Sequence, residues 1–236
     1  MRCQARAWQV PDTLPDTVPD TVSDTVSDTG ARMALIPPLR VAREAHDVEL
    51  ARALFREYAA WLGVDLCFQG FEDELAALPG KYAPPLGLLL IAGPPGDAVG
   101  CAALRPLPSP SPLPQPPEPQ PPEPRSIHVP ESPERGSSVV PEVAFSGPVG
   151  EVKRLYVQPR ARGTGTGRAL AQAIVDAARA IGYRTLCLDT LERMTEARAL
   201  YESLGFSRCA RYYDNPLDDA VYYSLDLHAP ERPMTP

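Results

Sequence analysis

The apolar and polar positions divide the chain into two stretches able to build a core. In the first, about Leu39 to Arg105, Leu39 to Arg43 predicts a short strand. From His46 to Leu62, the residues Ala51, Leu54, Phe55, Tyr58, Trp61 and Leu62 recur at helical spacing, which predicts a helix with one apolar face, ended by Gly63. Phe71 to Leu78 predicts a shorter helix, stopped by Pro79-Gly80. The apolar runs Leu86 to Ala92 and Ala98 to Leu104 flank Gly93-Pro94-Pro95-Gly96-Asp97, the pattern of a β-hairpin with a longer loop. In the second stretch, Val149 to Leu227, Glu151 to Val157 reads as a strand followed at once by a glycine-rich loop. Gly167 to Ile181 predicts a helix with Leu170, Ala173, Ile174, Ala177, Ala178 and Ile181 on one face. A strand over Arg184 to Asp189, a helix over Glu196 to Leu204 and two strands over Ser207 to Tyr213 and Ala220 to Leu227 complete it. The order β-α-α-β-β, then β-α-β-α-β-β, predicts an α/β fold: a mixed central sheet flanked by helices.

Two segments lack core potential. From Pro11 to Gly30 a four-residue unit repeats as PDTL, PDTV, PDTV, SDTV and SDTG. Such a segment buries too little apolar area to offset its chain entropy and is expected to be disordered, with Met33 as an alternative start of the protein. Residues 106–148 hold half of the chain's 30 prolines and include PSPSPLPQPPEPQPPEP, a polyproline-type run. This segment reads as a disordered insertion, with an SH3 or WW ligand as the weaker alternative. The expected organisation is a tail over 1–37, one domain over 38–228 interrupted by 106–148, and a tail over 229–236.

Bulk properties narrow the function classes. With 236 residues, 44% hydrophobic and 22% charged, the chain suits one globular domain plus spare length. A net charge of −7 and the lack of a basic stripe argue against a nucleic-acid partner. Five scattered cysteines without CxxC spacing suggest neither a disulfide framework nor a zinc site, so no metal is expected. The apolar run Leu86 to Ala92 is far too short to span a bilayer, and the first thirty residues lack a signal-like apolar region. A cytoplasmic protein with free thiols, away from membranes, is expected.

The candidate chemistry lies in Leu155-Tyr156-Val157-Gln158-Pro159-Arg160-Ala161-Arg162-Gly163-Thr164-Gly165-Thr166-Gly167-Arg168. Glycines at alternate positions, between a strand and a helix start, let backbone N–H groups converge on one point of positive potential, suited to a phosphate or pyrophosphate. Arg162 and Arg168 add charge. A Walker A loop is excluded because Arg168-Ala169 follows Gly167. The dinucleotide pattern GxGxxG fails because Arg168 and Leu170 stand where glycine is required. An ordinary glycine-rich turn is the other reading.

With its context, this segment resembles the acetyl-CoA motif of the GNAT acetyltransferase family. The strand Val152-Lys-Arg-Leu-Tyr-Val157, then Pro159, then Arg162-Gly-x-Gly-x-Gly, precede an Ala/Leu-rich helix. Ala199-Leu-Tyr-Glu-Ser-Leu-Gly-Phe206 is similar to that family's closing helix. Phe68-Gln-Gly-Phe71 and Leu78-Pro-Gly-Lys-Tyr82 resemble, more weakly, the amino-terminal part of a bacterial-type subgroup. The resemblance implies an acyl-CoA N-acyltransferase fold that takes acetyl-CoA as co-substrate and passes the acetyl group by direct attack to a primary amine. It implies that Leu155, Tyr156 and Val157 hold pantetheine. It implies that Arg162, Gly163, Thr164, Gly165, Thr166, Gly167 and Arg168 cradle the pyrophosphate.

By the same resemblance Tyr201 is the general acid for the CoA thiolate, or else an aromatic packed at a helix end. Glu151, at the start of the motif strand, is a candidate base for the amine; its other reading is an edge-strand charge in solvent. Glu72, Asp73 and Glu74 are weaker candidates. Lys153 and Arg154 point to opposite faces, so only one can join Glu151; surface cations are the default. The family often carries Asn seven residues before the helix tyrosine, and here that position is Met194, which suggests packing against the pantetheine arm. Tyr212-Tyr213-Asp214-Asn215-Pro216 reads as an acceptor-pocket wall or a plain turn. His46, His128 and His228 are isolated. The alternative function is a non-catalytic acyl-CoA-binding sensor or scaffold on the same fold.

Overall fold

The computed structural model describes residues 36–107, 145 and 147–228. The PDT/SDT repeat, Met33, His128 and the polyproline run lie outside the described residues.

The elements follow the expected order: β1 (Leu39–Val41), α1 (Ala45–Leu62), α2 (Phe71–Ala77), β2 (Leu88–Ala92), β3 (Gly100–Pro106), β4 (Val149–Val157), α3 (Thr166–Ile181), β5 (Thr185–Leu191), α4 (Thr195–Ser203), β6 (Ser207–Cys209) and β7 (Ala220–Asp226). They form a seven-stranded sheet in the order β1-β2-β3-β4-β5-β7-β6. Only the β4–β5 pair is parallel; its neighbours are antiparallel, so the sheet is mixed as the pattern predicts.

Each face of the sheet has its own core. α3 presents Leu170, Ile174, Ala178 and Ile181, spaced at three and four residues, to Leu90, Ala102, Leu104 and Val152. α1 presents Val48, Ala51, Leu54 and Phe55 to the opposite face, against Leu89, Ile91, Cys101 and Ala103. Full burial of each large side chain contributes about 1.5–3 kcal/mol. This division explains β2, whose five residues are all buried: it is covered on both sides and so shows no alternation.

Two expectations need correction. Trp61, which its period assigns to the packed face of α1, is 47% exposed. It stands at the last turn, where its ring leans on Tyr58 and Tyr156 rather than entering the core. The strand expected over Ser207 to Tyr213 ends at Cys209, because only Ser207–Cys209 of it pairs with β7. Beyond it the chain turns inward, and the hydroxyls of Tyr212 and Tyr213 reach the carboxylates of Glu151 and Asp189.

Candidate functional site

The site begins as a defect in the sheet. β4 pairs with β5 only from Val149 to Glu151, opposite Thr185 to Cys187. Past that point the two strands diverge, although both continue for several residues. On its other side β4 carries a bulge: Cys101 and Ala103 of β3 face Tyr156 and Lys153, so β4 holds one residue more over the same span. Arg154 lies within it at φ 57, an uncommon conformation for a non-glycine residue. Its carbonyl accepts the Cys101 thiol at 3.3 Å.

The divergence opens a cleft with two lobes. The outer lobe, about 550 Å³, is walled by Leu155, Tyr156 and Val157 of β4, by Gly167 of α3, and by Met194 and Leu200 at α4. The inner lobe, about 70 Å³, is reached past Leu62, Leu155, Met194 and Ala197, which line both. Lys153, Arg154, Asp189 and Tyr201 also line it.

The glycine loop sits at the outer end. Gly163 and Gly165 take φ of 74° and 88°, which only glycine adopts without strain. Gly165 precedes the first residue of α3 and offers no side chain to cap it, and no acidic residue stands in the first turn. The first intrahelical bond in this turn is donated by the Ala169 N–H, to the Gly165 carbonyl. The earlier N–H groups are therefore open to a ligand, and the helix dipole adds positive potential there. The Arg162 Nε donates to the Val157 carbonyl at 3.0 Å, and its guanidinium lies 4.8 Å from the Trp61 ring centroid.

Of the residues expected to bind the cofactor, Leu155, Tyr156, Val157, Arg162 and Gly167 line the outer lobe. Thr164 and Thr166 bond to each other at 2.7 Å, and Arg168 donates to the Ser203 hydroxyl. These latter contacts brace the loop. Met194 lines both lobes, and its sulfur accepts the Thr190 hydroxyl.

Tyr201 lines the inner lobe, 7% exposed, with its ring packed on Phe206 and Tyr223. Burial pushes its pKa well above the ordinary phenol value, so the hydroxyl keeps its proton.

Glu151 is not an edge-strand charge in solvent. β4 is an interior strand, and Glu151 is fully buried. It accepts hydrogen bonds from Arg105 at 2.6 Å and Tyr212 at 3.1 Å, and pairs with Lys153 at 3.0 Å. It lines neither lobe; Lys153, which does, lies between it and the cavity. Lys153 and Arg154 are likewise buried rather than surface cations.

Lys153 also donates to Asp189 at 2.6 Å, and the Tyr213 hydroxyl donates to the other oxygen at 2.7 Å. Burial alone would raise the Asp189 pKa. The Lys153 charge and the two hydrogen bonds outweigh it and hold the carboxyl below its usual range. Asp189 and Trp61 are among the residues of the cleft that sequence reasoning left unremarked as functional. Asp189 had a signal, a lone charge inside the otherwise apolar strand Thr-Leu-Cys-Leu-Asp-Thr-Leu.

Arg154 is held separately by Glu74, with bonds of 2.8 and 3.0 Å. Glu74 is thus an ion-pair partner, buried on α2. Among the described residues no group of acidic, histidine or cysteine side chains is arranged to hold a metal ion, and no helix is long and apolar enough to cross a membrane.

A sequence model of the acetyltransferase (GNAT) family matches residues 49–206. A Schizosaccharomyces pombe protein named as an uncharacterized N-acetyltransferase is 33% identical over 183 residues, covering 77% of this chain and 89% of its own length. A similarly named Dictyostelium discoideum protein is 26% identical over 213 residues, covering 80% and 99%. Among solved structures, an acetyltransferase from Streptococcus agalactiae superposes with a TM-score of 0.53 at 18% identity, covering 80% of this chain and 97% of its own; this likeness shows the fold.

Proposed function

The chain belongs to the acetyltransferase (GNAT) family, and from that premise we propose that it transfers the acetyl group of acetyl-CoA to a primary amine by direct attack. The observation that carries the proposal is the cleft between the diverging β4 and β5. It runs from the uncapped start of α3 to the protonated Tyr201 phenol.

The chain's own groups suit each end of that substrate. The open N–H groups of α3 and the loop glycines suit the pyrophosphate, with Arg162 at the rim. The backbone of Leu155–Val157, unpaired toward β5, can bond pantetheine in the manner of an added strand. A backbone N–H of that segment polarises the thioester carbonyl as a single oxyanion donor.

The amine must be neutral to attack. Lys153 and Arg154 line the inner lobe, but each is paired with carboxylates, Lys153 with Glu151 and Asp189 and Arg154 with Glu74, so their charge is compensated and the amine sheds its proton to water before it attacks. Glu151, which lines neither lobe, bears on the acceptor only through Lys153. The attack forms the C–N bond and breaks the C–S bond. Tyr201 gives its proton to the departing thiolate, and the proton shed by nitrogen restores the phenol through water in the cleft.

The test is CoA release from acetyl-CoA across a panel of primary amines, with the acetylated amine identified by mass spectrometry. Acetyl-CoA bound without transfer to any amine would instead support a binding role on the same fold.

A further inference from the structure

The inner lobe carries information on the acceptor. Its volume of about 70 Å³ holds on the order of five water-sized groups, taking about 10–15 Å³ for each. Its apolar lining includes Leu62, Leu66, Leu155 and Leu217. Its polar lining includes Lys153, Arg154 and Tyr201, with Asp189 the only carboxylate of that lining among the described residues. The same lobe holds Tyr201, so a nitrogen bonded to Asp189 lies in the chamber where the thiolate would be protonated.

Asp189 has capacity for such a nitrogen. A carboxylate offers about four lone-pair positions, and Lys153 and Tyr213 occupy one on each oxygen. Those bonds also fix the carboxylate in place. Lys153 is held in turn by Glu151, and Tyr213 by Asn215, whose amide donates to the phenol oxygen at 2.9 Å.

We infer that the inner lobe receives a terminal amine on an unbranched alkyl stem, and that Asp189 accepts a hydrogen bond from that amine and aims its lone pair. The stem packs on the leucines, which favour an alkyl group over a polar carboxamide beside the nitrogen. The acceptor class is therefore an ω-aminoalkyl group, such as a lysine-like side chain, rather than the α-amine of an amino acid or peptide. The inference rests on the acetyl-transfer reading for why an amine enters, but it is tested by binding and not by turnover.

The full chain saturated with CoA is titrated with n-butylamine and, separately, with alaninamide, following amide chemical shifts. Wild type is expected to bind n-butylamine at least about tenfold more tightly than alaninamide. Asp189→Asn should weaken n-butylamine by at least about tenfold, the scale of a lost hydrogen bond to a charged group. Leu217→Trp, a substitution in an irregular segment, should block n-butylamine by filling part of the lobe. CoA affinity should be kept in both variants. Equal binding of the two amines by wild type overturns the inference, independently of whether a variant folds. So does unchanged n-butylamine affinity in a folded Asp189→Asn protein. Failure of CoA itself to bind would count against the acetyl-transfer reading, while the amine comparison, repeated without CoA, still decides this one.

Discussion

Replacing Glu74 with alanine tests whether the cleft depends on a buried ion pair. Glu74 and Arg154 have side chains only 3% exposed each, joined by Nε–Oε1 and Nη2–Oε2 bonds of 2.8 and 3.0 Å. The same carboxylate accepts the Tyr82 hydroxyl at 2.9 Å. Removing one partner of such a pair leaves an uncompensated buried charge, a loss of about 3–5 kcal/mol. The orphaned hydroxyl adds to it, and water entering the space left by the side chain subtracts, so about 4 kcal/mol is expected. For a domain of this size that is a fall in Tm on the order of 10 °C. Urea unfolding should show a lower midpoint at unchanged slope. The double variant Glu74→Leu/Arg154→Met should recover most of the loss, because an apolar pair in place of a buried ion pair is often neutral. A loss under about 1 kcal/mol in Glu74→Ala would refute the reasoning, since it would match a solvent-screened pair. The pH dependence has a defined sign. Burial raises the Glu74 pKa, but the bonds from Arg154 and Tyr82 outweigh it and hold it below its ordinary 4.5. The stabilisation is therefore complete above that value and is lost as pH falls through the folded-state pKa. Glu74→Gln should flatten that acid limb.

Tyr201→Phe should lower kcat by about 10²–10⁴-fold, the usual contribution of a positioned proton donor, with acetyl-CoA affinity unchanged; steady-state kinetics and calorimetry check this. Gly165→Ala forces a side chain into φ 88, which should destabilise by more than about 1 kcal/mol and weaken acetyl-CoA binding by displacing the start of α3. Trp61→Ala removes the ring beneath the Arg162 guanidinium and should weaken acetyl-CoA binding by up to about fivefold, a cation–π interaction at an exposed site being about 0.5–1 kcal/mol.

The regular elements were legible because burial marks each of them. The periods of α1 and α3 follow from one face buried against the sheet, and the apolar runs of β2 and β3 from cover on both faces. The glycine loop was legible because Gly163 and Gly165 meet a conformational demand that other residues meet poorly. The opening of β4 beside Leu155–Val157 was legible only through the family resemblance, since it depends on which backbone groups remain unpaired after Glu151, and side-chain patterns do not record that. Lys153, Arg154 and Asp189 were not legible, because charged residues default to the surface unless their partners are known. Those partners come from distant parts of the chain: Glu74 of α2 for Arg154, Asp189 of β5 for Lys153, and Tyr213, from the segment after β6, for Asp189. Trp61 misled because periodicity gives direction around a helix axis but not how far the sheet extends beneath its last turn.

The central claim is that the β4–β5 cleft brings acetyl-CoA and an amine together beside Tyr201. The most direct measurement is a single-turnover mixture of the protein, acetyl-CoA and an ω-aminoalkyl acceptor, read by mass spectrometry of the amine alongside titration of free CoA thiol. The account predicts one acetylated amine for each thiol released, with both signals lost in Tyr201→Phe. Thiol release without acetylated amine, or equal transfer in wild type and Tyr201→Phe, would contradict it.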